Sequence, residues 1–145
     1  CLMPNHFHLL VREKQERGIT AFMQKLLTSY SSYFNLKHRR TGKLFEGYFK
    51  ATHVDNDSYL NYLYAYIHLN PVKISNPDGW PTKIVRNTVA AKVFLDSYTH
   101  SSYHDYLDRP RQEKVILNPD AFPDYFDDKI DFKRFVNDWM KYNQS

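Results

Sequence analysis

Two histidines stand two residues apart in His6-Phe7-His8. Along an extended chain, side chains at i and i+2 share a face, so both imidazoles can reach one metal ion. Alone the pair is a weak signal, since such histidines are more often ordinary surface or core residues than ligands. A second set is Tyr66-Ile67-His68-Leu69-Asn70-Pro71. On a helix Tyr66 and Asn70 lie one turn apart on one face. There the tyrosine can pack its ring and expose its hydroxyl, and Asn70 can present an amide oxygen to a metal shared with the histidines. With 12 tyrosines in the chain, packing is the default role for any one of them. The third set is basic and aromatic: Arg39, Arg40, Lys43, Phe45, Tyr48, Phe49 and Lys50. Basic groups neutralise phosphates and aromatic faces stack unpaired bases, although Phe45 and Phe49 also read as core.

These sets complement one another chemically. A tyrosine is a poor nucleophile near neutral pH, the reference phenol pKa being about 10, so it needs an activated electrophile. A divalent metal on a phosphate oxygen withdraws charge and orients the group for in-line attack. Two imidazoles and one amide oxygen make a partial coordination shell that leaves room for phosphate and water. Attack by the tyrosine would leave a covalent phosphotyrosine and a free 3′-hydroxyl. That bond stores the energy for rejoining, so no nucleotide cofactor is needed. A metal-dependent hydrolase of another kind would instead need a general base, for which His68 and His53 are the available residues.

The elements that must position these groups read as follows. Residues 1–12 form a strand interrupted at Pro4-Asn5, with His6, His8 and Leu10 on one face. Residues 20–38 form an amphipathic helix, whose stripe of Phe22, Met23, Leu26, Leu27, Tyr30, Tyr33 and Phe34 reads as core. Residues 44–54 are aromatic and β-branched enough for a strand or hairpin. A helix over about 58–70 follows candidate N-caps at Asp55-Asn56-Asp57-Ser58 and carries Leu60, Leu63, Tyr64 and Ile67 inward. Residues 71–82 hold three prolines and a glycine and read as a loop. Short helices are expected over 83–107, irregular chain over 108–125, and a last helix from near Asp131 with Phe132, Phe135, Val136, Trp139 and Met140 on one face.

Composition narrows the class. The 145 residues suffice for a domain with a real core, and the 12 Tyr, 10 Phe and 2 Trp argue against a disordered chain. The single cysteine, Cys1, excludes an internal disulfide and suits a reducing cytoplasm. No apolar run is long enough to cross a membrane. The net charge of +4 is concentrated: residues 37–50 hold five basic side chains against Glu46, and the rest of the chain balances. That placement suits a local polyanion site, or a solvated loop, about equally.

Three blocks in order carry a resemblance: Met3-Pro4-Asn5-His6-Phe7-His8-Leu9-Leu10-Val11, Gly42-Lys43-Leu44-Phe45-Glu46-Gly47-Tyr48-Phe49-Lys50, and Tyr66-Ile67-His68-Leu69-Asn70-Pro71-Val72-Lys73. Together they resemble the REP-associated tyrosine transposases, HUH-superfamily relatives of the bacterial single-strand insertion-sequence transposases. The resemblance runs from residue 1 to about 107 and weakens beyond. It implies an α+β fold, a ferredoxin-like antiparallel sheet packed by helices, with the HUH histidines on a central strand. It implies a catalytic domain over 1–107 with 108–145 as a helical extension of it. A strand–helix–strand segment normally precedes the histidine strand; here the sequence opens on Cys1-Leu2-Met3, which reads as strand interior, and without that segment the sheet would lose partner strands. The resemblance further implies Tyr66 as nucleophile, His6 and His8 as ligands of Mg²⁺ or Mn²⁺, and Asn70 as a third, amide-type ligand. Arg39, Arg40, Lys43, Phe45, Lys50 and Lys73 would contact DNA, Lys73 standing where arginine is usual. The substrate would be single-stranded or hairpin DNA cut beside the hairpin, in the cytoplasm at the nucleoid, by a monomer or a homodimer. The alternative is a domesticated relative that grips hairpin DNA without cutting it.

Overall fold

The computed structural model describes residues 1–77, 80–81 and 85–142. Its helices are α1 (Gly18–Lys37), α2 (Asp57–Leu69), α3 (Val72–Ser75), α4 (Thr88–Ser97) and α5 (Lys129–Lys141), with short 3₁₀ segments at Ser102–His104, Gln112–Ile116 and Pro119–Ala121. The chain divides into two compact units, Cys1–Leu10 with Val54–Ser145, and Val11–His53.

The expected ferredoxin-like sheet is not there. Among the described residues no β-strand occurs, and the β pairing is one isolated antiparallel bridge between Leu2 and Phe7. The reason lies in Pro4-Asn5. The chain turns back there, so that the Met3 amide donates to the His6 carbonyl (2.8 Å) and the His8 amide to the Cys1 carbonyl (2.9 Å). The segment thus pairs with itself over too few residues to build a sheet, and Pro4 has no N–H to add to a ladder. His6 and His8 sit on the return arm of a tight turn, not on a central strand. Residues 44–53 likewise form no strand or hairpin: Tyr48 is 99% exposed, and β-favouring side chains form a strand only where a partner ladder and a surface to pack on exist.

In the larger unit α2 begins where Asn56, in extended backbone, accepts a hydrogen bond from the Tyr59 amide through its side chain (2.8 Å). It buries Tyr64, Ala65, Ile67, His68 and Leu69 and packs against α5, while α3 packs against α4. Helix α5 begins at Asp128, whose carboxylate caps the Ile130 and Asp131 amides. The spacing of Phe132, Val136 and Met140, one per turn, places all three in the core with Leu69, Val72, Trp80 and Leu95. Residues 71–82 are not wholly loop, because Pro71 lies at φ −57°, a helical value its ring imposes, and so starts α3. Residues 78, 79 and 82 of that stretch lie outside the described residues.

In the smaller unit, the stripe of α1 does not become core. Met23 is buried, but Phe22, Leu26, Tyr30 and Tyr33 remain exposed, since no sheet covers them. Tyr30 meets Phe34 and Phe45 by ring contacts, 6.2 Å between centroids in each case. No helix among the described residues is long and apolar enough to cross a membrane.

Candidate functional site

The histidine arm belongs to the larger unit and is fastened there by the Leu2 amide, which donates to the His100 carbonyl at 2.8 Å. His6 is exposed, and its Nδ1 lies 2.7 Å from the Asn5 Oδ1. An amide oxygen only accepts, so Nδ1 is the donor in this contact. The His6 and His8 rings meet edge to face, 4.9 Å apart at 88°. His8 is half-buried, and its Nε2 is enclosed with no hydrogen-bond partner. Burial pushes the His8 pKa down to about 4, with repulsion from His6 and Lys73 adding to it. The ring is therefore neutral near pH 7, the form in which an imidazole binds metal.

Helix α2 brings Tyr66 to the same place. Its ring is half-buried and stands edge to face with His8, centroids 5.3 Å apart at 82°. Lys73, in α3, donates from Nζ to the Tyr66 hydroxyl at 3.3 Å, and Nζ lies 4.7 Å from the ring centroid. His6, His8, Tyr66 and Lys73 thus form one chain of contacts. Asn70, one turn beyond Tyr66, closes α2. It is wholly buried, and neither its Oδ1 nor its Nδ2 has a hydrogen-bond partner. Among the described residues, no three or more His, Cys, Asp or Glu side chains cluster as a metal site.

The family model for IS200-like transposases (Transposase IS200 like) matches residues 1–70. Those 70 residues, just under half of the chain, are similar to IS200-like transposases. Neither the curated proteins nor the solved structures contain a match. The similarity points to a DNA-processing role of transposase type. His6, His8, Tyr66 and Asn70 all fall within the transposase match, and Lys73 lies three residues past its end.

The basic residues of the 37–50 stretch are placed in the other unit. Arg39, Arg40, Lys43 and Lys50 are exposed, and Phe45 is half-buried. Arg39 takes a left-handed backbone (φ 49°) just after α1, and the Asn35 side chain donates to the Gly42 carbonyl at 2.9 Å. Arg40 donates to the Lys43 carbonyl (3.2 Å) and rests over the Phe34 ring at 5.7 Å. A short turn thereby presents several cations to solvent.

His68 takes no part in this chemistry. It is 3% exposed, with Nδ1 2.7 Å from the Tyr64 carbonyl and Nε2 2.8 Å from the Ser102 hydroxyl. Both nitrogens are engaged, so His68 is a core histidine and not a general base. What sequence reasoning missed is the Lys73–Tyr66 contact. Its signal was present in the spacing: seven residues on a helix are two turns, which returns a side chain to nearly the same face.

Proposed function

We propose that this chain is a metal-dependent single-stranded DNA endonuclease and strand transferase, with Tyr66 as the nucleophile that forms a 5′-phosphotyrosine intermediate at sites flanking a hairpin. The observation that carries this reading is the packing of Tyr66 against His8, with His6 also against His8 and an ammonium group on the tyrosine hydroxyl. A tyrosine kept only for packing has no need of a histidine pair beside its ring and an ammonium group on its hydroxyl.

His6, His8 and Asn70 would hold Mg²⁺ or Mn²⁺, and the ion when bound would withdraw charge from the scissile phosphate. Three features fit such an ion: the exposed imidazole of His6, the enclosed and neutral His8 Nε2, and the buried amide of Asn70. A buried polar atom left unpartnered costs roughly 1–3 kcal/mol, so a ligand there relieves a standing cost. The Asn5 contact to His6 Nδ1 is the kind of outer hydrogen bond that orients a ligand imidazole.

Tyr66 Oη attacks phosphorus, the bond from phosphorus to the 3′-oxygen breaks, and that oxygen leaves as a hydroxyl. Rejoining reverses the step, with a 3′-hydroxyl attacking and Tyr66 expelled. Arg39, Arg40, Lys43 and Lys50 neutralise backbone phosphates, and Phe45 offers a ring to an unpaired base.

The test is incubation with a labelled library of single-stranded hairpin DNAs and Mg²⁺ or Mn²⁺, read by denaturing gel and mass spectrometry. The expected result is a covalent adduct on Tyr66 that chelator abolishes, and that Tyr66→Phe loses while still binding the hairpin. Cleavage surviving in Tyr66→Phe overturns the nucleophile. Hairpin binding by the wild type without any adduct would make the chain a hairpin-binding module instead.

A further inference from the structure

We propose that Lys73 is a catalytic residue of the tyrosine step, holding the negative charge on Tyr66 Oη both when that oxygen attacks and when it is expelled. The proposal rests on the reading of Tyr66 as nucleophile and goes beyond the simpler role of a phosphate contact.

The backbone between the two residues makes the contact a property of the fold. Helix α2 ends at Leu69 and α3 begins at Val72, with only Asn70 and Pro71 between them. Both residues keep right-handed helical angles, φ −54° with ψ −37° and φ −57° with ψ −26°. The Lys73 amide donates to the Asn70 carbonyl (3.1 Å) and the Ile74 amide to the Pro71 carbonyl (2.9 Å), so helical bonding resumes at once. Positions 66 and 73 therefore lie about two turns apart along a nearly continuous helical path. Helical side chains lean towards the N-terminus, which carries the long lysine stem back over the tyrosine. Val72 is wholly buried in the core, so the element that presents Lys73 is pinned. Lys73 itself is half-buried, as is Tyr66.

The placement of Nζ distinguishes this lysine from the basic residues of the other unit. It lies 3.3 Å from Oη and 4.7 Å from the ring centroid, close to both the oxygen and the π-system that share the phenolate charge. As the Oη–phosphorus bond forms, the phenolic proton passes to solvent, the phosphorus–3′-oxygen bond breaks and the 3′-oxygen takes a proton from water. The ammonium keeps all its protons and donates a hydrogen bond throughout. In rejoining the Oη–phosphorus bond breaks, and the same donor receives the departing phenolate. A donor aimed in advance at developing charge, in a partly desolvated site, favours the transition state over the ground state.

The test compares wild type, Lys73→Met and Lys73→Arg in single-turnover cleavage and rejoining at saturating hairpin DNA and metal. Hairpin affinity is measured separately with Tyr66→Phe present in each background. Lys73→Met should slow both chemical steps about 10- to 100-fold, with affinity changed less than about twofold, and Lys73→Arg should recover most of the rate. Lost affinity with unchanged saturating rates in Lys73→Met would make Lys73 a phosphate contact and overturn the proposal. Lys73→Arg as slow as Lys73→Met would also overturn it, because charge would not be what matters. Absence of a Tyr66 adduct in the wild type is a separate failure, of the nucleophile reading itself, and Lys73 falls with it.

Discussion

Acid should loosen the core of the larger unit through His68. This histidine is buried between α2 and the 3₁₀ turn at Ser102–His104, and the Phe132 ring meets it edge to face at 5.2 Å. Burial pushes its pKa down from 6.5 to about 4, only partly offset by the bond to the Tyr64 carbonyl. The charged form is thus disfavoured in the folded chain but not in the unfolded one. The unfolded chain binds the proton first, so stability is full above pH 6.5 and falls as pH drops from there to about 4. At about 1.4 kcal/mol per pH unit the whole loss is about 3 kcal/mol, of which about 2 kcal/mol is gone by pH 5. His8 is shifted in the same direction and adds to the slope. Urea unfolding between pH 7.5 and 4.5, followed by the fluorescence of buried Trp80, measures the slope in wild type and in His68→Gln, which cannot titrate. The reasoning fails if both proteins lose stability equally over this range. A direct readout is the NMR titration of the His68 ring, and a ring that takes its proton near pH 6.5 in the folded protein would refute the argument without any variant.

Two further outcomes are expected. Phe132→Ala removes a wholly buried ring that stacks on Tyr106 at 4.9 Å, and should cost about 3–5 kcal/mol in denaturant unfolding; a loss below 1 kcal/mol would mean that α5 does not close this core. Replacing Arg39, Arg40 and Lys43 together by alanine should weaken binding of single-stranded DNA and flatten its salt dependence by about 0.7 logarithmic units per lost phosphate contact. An unchanged salt slope would remove DNA from the role of that turn.

Much of the helical architecture was written locally. Asn56 and Asp128 have short side chains that cap helices in a way available to the unfolded chain, and the one-per-turn spacing of Phe132, Val136 and Met140 names the face that goes inside. That His6 lies beside His8, and that Asn70 follows Tyr66 by one turn, was likewise legible, because both relations depend on local geometry. Strands were not legible in this way. The β-favouring residues near His6 and over 44–54 announce a strand only if another segment lies alongside, and here the chain turns at Pro4-Asn5 and pairs with itself. The stripe of α1 shows the same dependence: its spacing predicts a helix correctly, but whether Phe22 and Tyr33 are buried depends on what covers them.

Tertiary structure alone decided the state of the site. It enclosed the His8 Nε2 and so made that imidazole neutral, and it buried the Asn70 amide without a partner. It separated His68 from the chemistry by engaging both of its nitrogens in the core. It also restarted the helix directly after Pro71, and thereby set an ammonium group on the Tyr66 hydroxyl. A sequence names which groups exist and how far apart they lie along the chain. Solvent exposure, and with it charge state, is set by every segment that packs around a group, and that was decided only when the chain folded.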